Sequence, residues 1–184
     1  MKVKFKKLVP GAVLPKKATE GSAAYDLYVP KDLIVERGRQ VIPLCFAMEM
    51  EDGYEALIDA RSGFSARGME GYRVITSYRF DNHFGSLTIP RHNTWPQCEE
   101  AKIERSVNIE AERFDCDVIQ GKIDSDYRND VGVIVHNRGC EFLLRAGARI
   151  AQMTFHKVET VEWEETDTLS ETDRDGGFGS TGTK

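Results

Sequence analysis

The most informative stretch of this chain is Gly121-Lys122-Ile123-Asp124-Ser125-Asp126-Tyr127-Arg128-Asn129-Asp130. Its turn-forming residues precede the apolar run 131–135, a combination that predicts a hairpin. In that hairpin Ile123 should face inward, Asp124 and Asp126 should share a face, and Tyr127 should point the other way. Two acids and an aromatic ring in one turn can supply a general base, a metal partner and a platform for a base or sugar. A solvated turn held by aspartate hydrogen bonds gives the same pattern, so both interpretations stay open on these residues alone.

Alternation of apolar and polar residues, or enrichment in β-forming residues, recurs along most of the chain. These segments are residues 2–6, 40–48, 54–58, 131–135, 150–155 and 158–163. Pro43 favours an edge strand or a bulge where it occurs. Helical periodicity is weak, and only short helices near residues 64–69 and 99–105 are predicted. Many short strands at regular spacing predict an all-β sandwich or a barrel-like jelly roll.

The composition is that of a single globular domain. The length of 184 residues suits one hydrophobic core, and 40% hydrophobic with 30% charged residues argues against disorder of the whole chain. The formal net charge is -5, from 25 Lys and Arg against 30 Asp and Glu. A surface of that sign disfavours binding to a nucleic-acid polymer, whereas a local cationic pocket can still bind a small acidic ligand.

The sequence predicts neither a membrane segment nor a secretory leader. It has no run of about 18 apolar residues, and Pro10 and Gly11 interrupt the short apolar stretch after the basic N-terminus. The 4 cysteines form no Cys-x-x-Cys pair, so free thiols are expected. We therefore expect a cytoplasmic protein that does not bind a membrane.

Three short motifs carry side chains that suit phosphate oxygens or a cation. Arg61-Ser62-Gly63 offers a guanidinium, a hydroxyl and backbone amides, although the same residues are common in an ordinary turn. Gln152 can donate its amide to a phosphate with Arg149 as support, or it can be an exposed residue near the start of a strand. Asp26, within Ala23-Ala24-Tyr25-Asp26-Leu27, lies at a strand entrance, where an aspartate is usually a cap or turn residue.

Residues 166–184 differ in composition from the rest of the chain. They are rich in Thr, Ser, Asp and Gly, which predicts a mobile tail. Within the tail, Gly176-Gly177-Phe178-Gly179-Ser180-Thr181-Gly182 places one aromatic ring among glycines and hydroxyls. Such a segment can fold over a ligand, with the ring on a base and the amides and hydroxyls on phosphate oxygens. A plain linker is the alternative.

Taken in order along the chain, these five motifs resemble those of the trimeric deoxyuridine triphosphatases (dUTPases). The sequence contains Ala-Ala-Tyr-Asp-Leu, Ala-Arg-Ser-Gly, Gly-x-Ile-Asp-Ser-Asp-Tyr-Arg, Gly-x-Arg-Ile-Ala-Gln and Gly-Gly-Phe-Gly-Ser-Thr-Gly. Five motifs in the family's order argue strongly against a chance likeness, which extends over residues 1–68 and 117–184. The resemblance implies a jelly-roll, β-clip-like subunit of a homotrimer, with 1–184 as one domain. The arm 166–184 would close the site of a neighbouring subunit.

The resemblance also implies the reaction, which is the Mg²⁺-dependent hydrolysis of dUTP to dUMP and pyrophosphate by an enzyme of nucleotide metabolism. Asp124 matches the general base that activates water for attack on the α-phosphorus. Asp26 matches an acid that supports Mg²⁺ through water, in agreement with the reluctance of Mg²⁺ to lose its hydration shell. Tyr127 matches the ring under the deoxyribose that leaves no room for a 2′-hydroxyl.

The other matched residues bind the nucleotide in the family. The backbone of residues 118–123 would bind the uracil edge, and Lys122 and Ile123 lie in that segment. Phe178 matches the ring that stacks on uracil. The expected phosphate contacts are Arg61, Ser62, Gly63, Gln152, Arg174, Gly179, Ser180 and Thr181.

Three departures from the family pattern matter. Ala24 replaces the usual glycine of the first motif, a minor change unless the position needs a positive φ. Arg174 lies four positions before Phe178, where the family usually has five, and Asp175 adds an acid beside the expected phosphate. Residues 69–116 intervene where the family has only a few residues between the second motif and the strand before the third.

This insertion, 69–116, is not of low complexity. Residues 73–80 alternate, 81–85 predict a turn and 86–89 a return strand, followed by a short charged helix or loop. Some viral members of the family bind regulatory proteins through extra segments, so a regulatory or partner-binding protein is the alternative function. An insertion of this kind favours a viral or phage origin, with action in the host cytoplasm. A dCTP deaminase is a further alternative, although its hairpin usually carries Pro-Gly after the aspartate.

Overall fold

The structure is a computed structural model that describes residues 1–80 and 101–173, without the side chains of residues 78–80 and 101–103. The described chain is almost entirely β, as the period-two pattern predicts. Its strands are β1 Lys4–Lys7, β2 Lys16–Lys17, β3 Tyr25–Tyr28, β4 Leu33–Val35, β5 Gly38–Pro43, β6 Phe46–Glu49, β7 Tyr54–Asp59, β8 Met69–Phe80, β9 Ala101–Phe114, β10 Cys116–Ile119, β11 Gly121–Ile123, β12 Gly132–Asn137, β13 Phe142–Leu144 and β14 Arg149–Lys157. The helix α1 spans Ser62–Arg67.

The strands form antiparallel sheets of five, four, three and two strands. The five-stranded sheet has the order β11-β7-β14-β3-β2, and the four-stranded sheet has the order β4-β13-β8-β9. The smaller sheets are β10-β12-β5 and β1-β6. The prediction for Pro43 is confirmed, because β5 is an edge strand, where a residue without an N–H is tolerated.

The core lies between these sheets and fixes their relative positions. Leu27 of β3, Ile58 of β7 and Ile150 of β14 are at most 1% exposed. Phe142 of β13 stacks on Phe114 of β9, with ring centroids 4.2 Å apart and ring planes 10° apart. Burying a side chain of this size contributes about 1.5–3 kcal/mol. Core burial therefore holds together motifs that are far apart in the sequence.

β8 and β9 pair as a long antiparallel ribbon that contains most of the described part of 69–116. The base of the ribbon belongs to the core, because Met69 and Phe114 are both buried. Gly71 lies against the ring of Phe142, where an added Cβ would clash with the ring atoms. The insertion is therefore anchored in the fold at its base.

The structure of the ribbon tests two predictions made for this region. The strand predicted over 73–80 is confirmed, since it forms most of β8. The helix predicted over 99–105 is wrong, because residues from Ala101 onward pair with β8 and that pairing outweighs a weak local preference for helix. The predicted turn 81–85 and return strand 86–89 lie outside the described residues.

The strand predicted over 158–163 is also wrong. β14 ends at Lys157, and the following residues 158–173 are exposed and belong to no strand. Trp163 is 93% exposed, so its alternating neighbours have no buried face to give them a strand's stabilisation.

The described cysteines are free thiols. Cys45, Cys116 and Cys140 form no disulfide, and Cys98 lies outside the described residues. Burial, reinforced by the nearby Asp117 and Asp115, raises the pKa of the Cys116 thiol to about 12, which makes it a poor nucleophile. No helix within residues 1–80 and 101–173 is both long enough and apolar enough to cross a membrane.

Candidate active site

A cleft of about 860 Å³ brings together residues from three of the sequence motifs. Its lining includes Asp26 of β3, Arg61-Ser62-Gly63 at the start of α1, and Arg149 and Gln152 of β14. The strand register explains this arrangement, because β14 lies between β3 and β7. Gln152 is thereby opposite Asp26 on one side and opposite Asp59, two residues before Arg61, on the other.

Asp26 holds two arginines at the wall of the cleft. Its carboxylate accepts a hydrogen bond from Arg61 Nε at 2.9 Å and another from Arg149 Nη1 at 3.3 Å. Asp26 is only 7% exposed, and a buried carboxylate is costly without such partners. The pairs fix the positions of both guanidinium groups relative to β3.

Helix α1 positions the second motif. The carbonyl of Arg61 accepts the first helical hydrogen bond from the Phe64 amide at 2.8 Å. The helix ends at Gly68, which has φ +80° and lies so close to the Phe114 carbonyl that an added Cβ would clash with it. The short helix predicted near 64–69 is therefore present, but it begins and ends two residues earlier because Gly68 stops it.

The cleft is cationic although the chain as a whole is acidic. A concave surface with an excess of arginine suits phosphate groups, because guanidinium groups donate charge-assisted hydrogen bonds to their oxygens. Its carboxylates are Asp26 and Glu70. Its arginines are Arg61, Arg67, Arg113, Arg145 and Arg149.

Several lining residues escaped the sequence analysis. Tyr72 and Arg113 come from the ribbon, and Arg113 forms an ion pair with Glu70 at 2.7 Å. No local motif marks these residues, since the pairing of β8 with β9 brings them to the cleft. Arg67 could have been found, because it lies within α1 only six positions after Arg61.

Arg145 forms part of the cleft rim through contacts on either side. Its Nη1 donates to Asp32 Oδ2 at 2.7 Å, and its guanidinium lies 5.4 Å from the centre of the Tyr72 ring. The backbone amide of Ala146 donates to the other oxygen of Asp32 at 2.8 Å. These bonds, the Ala146 bond foremost, hold the pKa of Asp32 below its usual value.

The turn that carries Asp124 lies outside this cleft. Asp124, Tyr127, Lys122 and Ile123 are not among its lining residues. Ile123 is buried, as predicted, whereas Asp124 is exposed. The described part of one chain therefore places the predicted phosphate-binding motifs and the predicted general base in separate regions.

The prediction of a simple hairpin over 121–130 needs correction. β10 pairs with β12 in the three-stranded sheet, but β11 pairs with β7 in the five-stranded sheet. The chain thus crosses from one sheet to the other at Gln120, whose amide Nε2 donates to Asp59 Oδ1 at 2.8 Å. The Asp124 turn lies within a wider β10–β12 hairpin whose connection also contributes an edge strand to the other sheet.

Local hydrogen bonds hold the Asp124 turn. The Tyr127 amide donates to the Asp124 carbonyl at 3.1 Å, and the Tyr127 hydroxyl donates to the Asp130 carbonyl at 2.9 Å. Arg128 Nη1 donates to the Ser125 carbonyl at 2.5 Å. Tyr127 stays 38% exposed, so part of the residue is accessible to a ligand.

Lys122 does not point freely toward a ligand. Its Nζ forms an ion pair with Glu55 at 2.5 Å, and that hydrogen bond raises the pKa of Lys122. Any part of Lys122 in binding a base would therefore fall to its backbone, in agreement with the role that the family resemblance implies.

The departure at Ala24 costs no backbone strain. Among the described residues Cys45 is the single non-glycine residue with a positive φ, so Ala24 adopts an ordinary conformation. The residues predicted from the fifth motif lie outside the described residues. These are Arg174, Phe178, Gly179, Ser180 and Thr181.

The described residues suit only an indirect role in holding a metal ion. In residues 1–80 and 101–173, no group of three or more His, Cys, Asp or Glu side chains could hold one. Each oxygen of Asp26 already accepts one hydrogen bond from an arginine, which leaves lone pairs for water. This donor set fits Mg²⁺ that keeps its waters and is bound mainly by phosphates.

The all-β fold and the arginine-rich cleft define a protein that binds a phosphorylated ligand on a jelly-roll scaffold. The chain belongs to the dUTPase family, whose model matches residues 11–82 and 110–182. The gap between the two matched ranges, residues 83–109, lies within the insertion 69–116. The match confirms the family predicted from the five motifs.

Individual relatives match the chain from end to end. The deoxyuridine 5′-triphosphate nucleotidohydrolase of Anaplasma marginale (strain St. Maries) is 35% identical over 190 residues, covering 100% of this chain and 99% of that protein. The enzyme of the same name from Hydrogenobaculum sp. (strain Y04AAS1) is 34% identical over 188 residues. That match covers 100% of this chain and 100% of the Hydrogenobaculum protein.

Solved structures share the fold. The dUTPase of Staphylococcus bacteriophage 80alpha with dUPNHPP has a TM-score of 0.70 at 18% identity, over 99% of both chains. A mutant dUTPase from phage phi11 of S. aureus, solved with a structural Mg(II) ion, has a TM-score of 0.63 at 15% identity. That match covers 92% of this chain and 99% of the phage chain. These likenesses confirm the all-β fold prediction.

Proposed function

We propose that this chain hydrolyses dUTP to dUMP and pyrophosphate. The observation that carries the proposal is the cleft in which Asp26, Arg61-Ser62-Gly63 and Gln152 meet. In the family, the matching residues of the second and fourth motifs would contact the phosphates, and the matching acid of the first motif would support Mg²⁺ through water. Membership of the dUTPase family and relatives named as deoxyuridine triphosphate nucleotidohydrolases support the same reaction.

The active unit in this proposal is a homotrimer. The cleft of one chain lacks Asp124 and Tyr127 among its lining residues, so another copy must supply them. Head-to-tail contacts around a three-fold axis would bring the turn of one subunit against the cleft of the next. The arm 166–184 would then close the assembled site. Residues 158–165, which precede the arm, are exposed and are therefore free to lead it toward a neighbouring subunit.

The cleft residues bind and orient the triphosphate in this mechanism. Arg61, Ser62, Gly63 and Gln152 contact phosphate oxygens, and the guanidinium of Arg61 stabilises the charge that develops on them. When bound, Mg²⁺ supplies further neutralisation of the triphosphate charge, and Asp26 would support it through water. The tail residues Arg174, Phe178 and Gly179-Ser180-Thr181 would complete these contacts.

The turn residues of a second copy carry out the chemistry. Asp124 accepts a proton from water as the water oxygen forms a bond to the α-phosphorus, and the bond from that phosphorus to the bridging oxygen of pyrophosphate breaks. Tyr127 packs under the deoxyribose and leaves no space for a 2′-hydroxyl. The backbone of 118–123, including Lys122 and Ile123, binds the uracil edge. The cytoplasm, or the host cytoplasm for a viral protein, is the proposed place of action.

Binding of a regulatory protein through the insertion is the second candidate function. It is supported by Ile109 of β9, which is 96% exposed on the ribbon. Related phage proteins of known structure are described as controlling the transfer of virulence genes. A partner held by the wild-type chain and lost with Ile109→Asp, at unchanged dUTP hydrolysis, would support this function. A partner held equally by both would contradict a role for the ribbon.

Pyrophosphate release from dUTP, UTP, dTTP and dCTP tests the main proposal. Release should be fastest from dUTP, and Asp124→Asn should slow it about 10²–10⁴-fold, the usual contribution of a general base. Equal rates with dUTP and UTP would contradict the role of Tyr127. Unchanged activity of the Asn variant would contradict the base assignment, and ammonia release from dCTP would favour a deaminase.

A further inference from the structure

We infer that Arg67 is a further phosphate-binding residue, which contacts the triphosphate of the nucleotide beside Ser62 and Gly63. The inference rests on the proposed function and deepens it. It assigns a ligand to a side chain at the end of α1 that none of the five motifs includes. The five arginines that line the cleft among the described residues differ in the partners that each already has.

Asp26 already engages two of the five arginines. Arg61 and Arg149 form ion pairs with its two carboxylate oxygens at 2.9 and 3.3 Å. Asp26 therefore offsets part of the positive charge of both groups before a ligand enters. These pairs restrict the orientation of the two guanidiniums and reduce the charge they offer to a phosphate.

Two further arginines of the cleft are paired with other carboxylates. Arg113 pairs with Glu70 at 2.7 Å, and Arg145 pairs with Asp32 at 2.7 Å. Binding a phosphate through either group would require sharing or breaking an existing charge-assisted hydrogen bond.

Arg67 differs from the other four. Within residues 1–80 and 101–173, it has no carboxylate within ion-pair distance, and its side chain is exposed. Its full charge is therefore available to a ligand in the cleft that it lines.

The position of the Arg67 guanidinium points to the same ligand. Its Nη2 lies 3.6 Å from the place where a Cβ on Gly63 would be, so the side chain folds back along α1 toward the second motif. Gly63 has no side chain to fill the space beside this guanidinium. A phosphate group bound at Ser62 and Gly63 would therefore lie within reach of Arg67.

A structural role for Arg67 makes a different prediction. A basic residue in the last turn of a helix interacts favourably with the helix C-terminus, and Arg67 occupies that place in α1. Loss of such a role would lower the thermal stability and affect all ligands alike. Loss of a phosphate contact would weaken only ligands that carry phosphate.

The test compares Arg67→Ala and Arg67→Lys with the control Arg37→Ala. Arg37 is an exposed arginine in the bend between β4 and β5 and does not line the cleft. The readouts are the KM for dUTP, the melting temperature, and the inhibition constants of dUpNHpp and deoxyuridine. Arg67→Ala should weaken dUpNHpp about 10–100-fold, the effect of one charge-assisted hydrogen bond, with deoxyuridine unchanged. Arg67→Lys should recover part of that loss, and Arg37→Ala should resemble the wild type.

The outcomes separate this inference from the proposed function. A wild type that hydrolyses dUTP, with dUpNHpp equally tight in Arg67→Ala, overturns the inference alone. Equal weakening of dUpNHpp and deoxyuridine also overturns it, in favour of the structural role. A wild type inactive on dUTP overturns the proposed function, and binding of inorganic tripolyphosphate then tests Arg67. Weaker binding of tripolyphosphate by Arg67→Ala, but not by Arg37→Ala, would support the role of Arg67. Binding of tripolyphosphate as tight in Arg67→Ala as in the wild type would refute it.

Discussion

The cleft and the Asp124 turn differ in how much of a catalytic site each contains. The cleft joins the first, second and fourth motifs within one chain and adds arginines from α1 and the ribbon. The turn presents Asp124 and the Tyr127 ring to solvent and contributes nothing to that cleft. One chain therefore holds the residues proposed to bind phosphates apart from those proposed to activate water, and the proposed reaction requires both from different copies.

The two regions also differ in the range of the interactions that stabilise them. Asp26 is bonded to Arg61, 35 residues away, and to Arg149, 123 residues away. The turn depends on bonds between residues one to three positions apart, such as the bond from Tyr127 to Asp130. A single substitution should therefore disturb the cleft over a wide area but affect the turn only locally.

Mixing two inactive variants gives the largest expected effect. Asp124→Asn removes the base and keeps the cleft, whereas Arg61→Gln impairs the cleft and keeps the base. When equal amounts of the two variants form trimers at random, each site takes its cleft from one copy and its turn from another. About a quarter of the sites would then contain both an intact cleft and an intact turn. Pyrophosphate release should rise from nearly none in either variant to about a quarter of the wild-type rate.

The controls for this experiment are each variant unfolded and refolded alone and the wild type treated in the same way. Refolding should leave either variant alone inactive and the wild type active. A mixture that stays as inactive as its components, at the same trimer content by light scattering, would show that both regions act within one chain.

Asp26→Asn is expected to weaken the cleft. The substitution keeps the shape of the side chain but removes the charge opposite Arg61 and Arg149. We expect kcat/KM for dUTP to fall about 10–100-fold, as for other losses of a charge-assisted contact. Asp59→Asn is the matched control, since Asp59 is also opposite Gln152 but does not line the cleft.

The same variant distinguishes the two regions. Mixed with Asp124→Asn, the Asp26→Asn chain should still supply an intact turn and so raise the activity of the mixture. An Asp26→Asn enzyme with wild-type kcat/KM would show that the buried ion pairs serve the fold and not the ligand.

Tyr127→Ala should affect specificity more than stability. Removing the ring opens space for a 2′-hydroxyl, so the ratio of kcat/KM for dUTP to that for UTP should fall about tenfold or more. Tyr127→Phe is the control, because the hydroxyl donates to the Asp130 carbonyl within the turn. Loss of discrimination in both variants would mean that the hydroxyl, rather than the ring, controls the sugar.

Sequence motifs singled out Asp26, Arg61 and Gln152, and the structure brings these three residues to one cleft. Asp26 and Gln152 meet through the register of β3 and β14, which alternation alone could not supply. Arg113 and Glu70 could not be predicted, since they reach the cleft through pairing across a ribbon whose partner strands are far apart in sequence. The same long-range pairing overrode the helix predicted over 99–105.

The Asp124 turn was predictable in its local structure but not in its sheet pairing. Its residue types predicted a turn with a buried Ile123, because local hydrogen bonds and one apolar contact are enough to form it. They did not predict that β11 joins β7 in another sheet, since an edge pairing depends on which strand the core leaves available. Which sheet a three-residue strand joins is decided by tertiary contacts, not by its own sequence.

Asp32→Asn, at the rim of the cleft, should have the smallest effect. The Ala146 amide and Arg145 hold the pKa of Asp32 below its ordinary value of 3.8. A carboxyl whose folded pKa is depressed stabilises the fold fully above its unfolded pKa, and that contribution is lost as the pH falls through the folded pKa. The variant should therefore melt slightly below the wild type at neutral pH, with a gap that closes in acid as the pH falls through the folded pKa of Asp32. The control is Asp52→Asn, in the exposed turn before β7. A gap that stays constant with pH would contradict the ion pair's contribution, and a raised KM for dUTP would place Arg145 in the phosphate site.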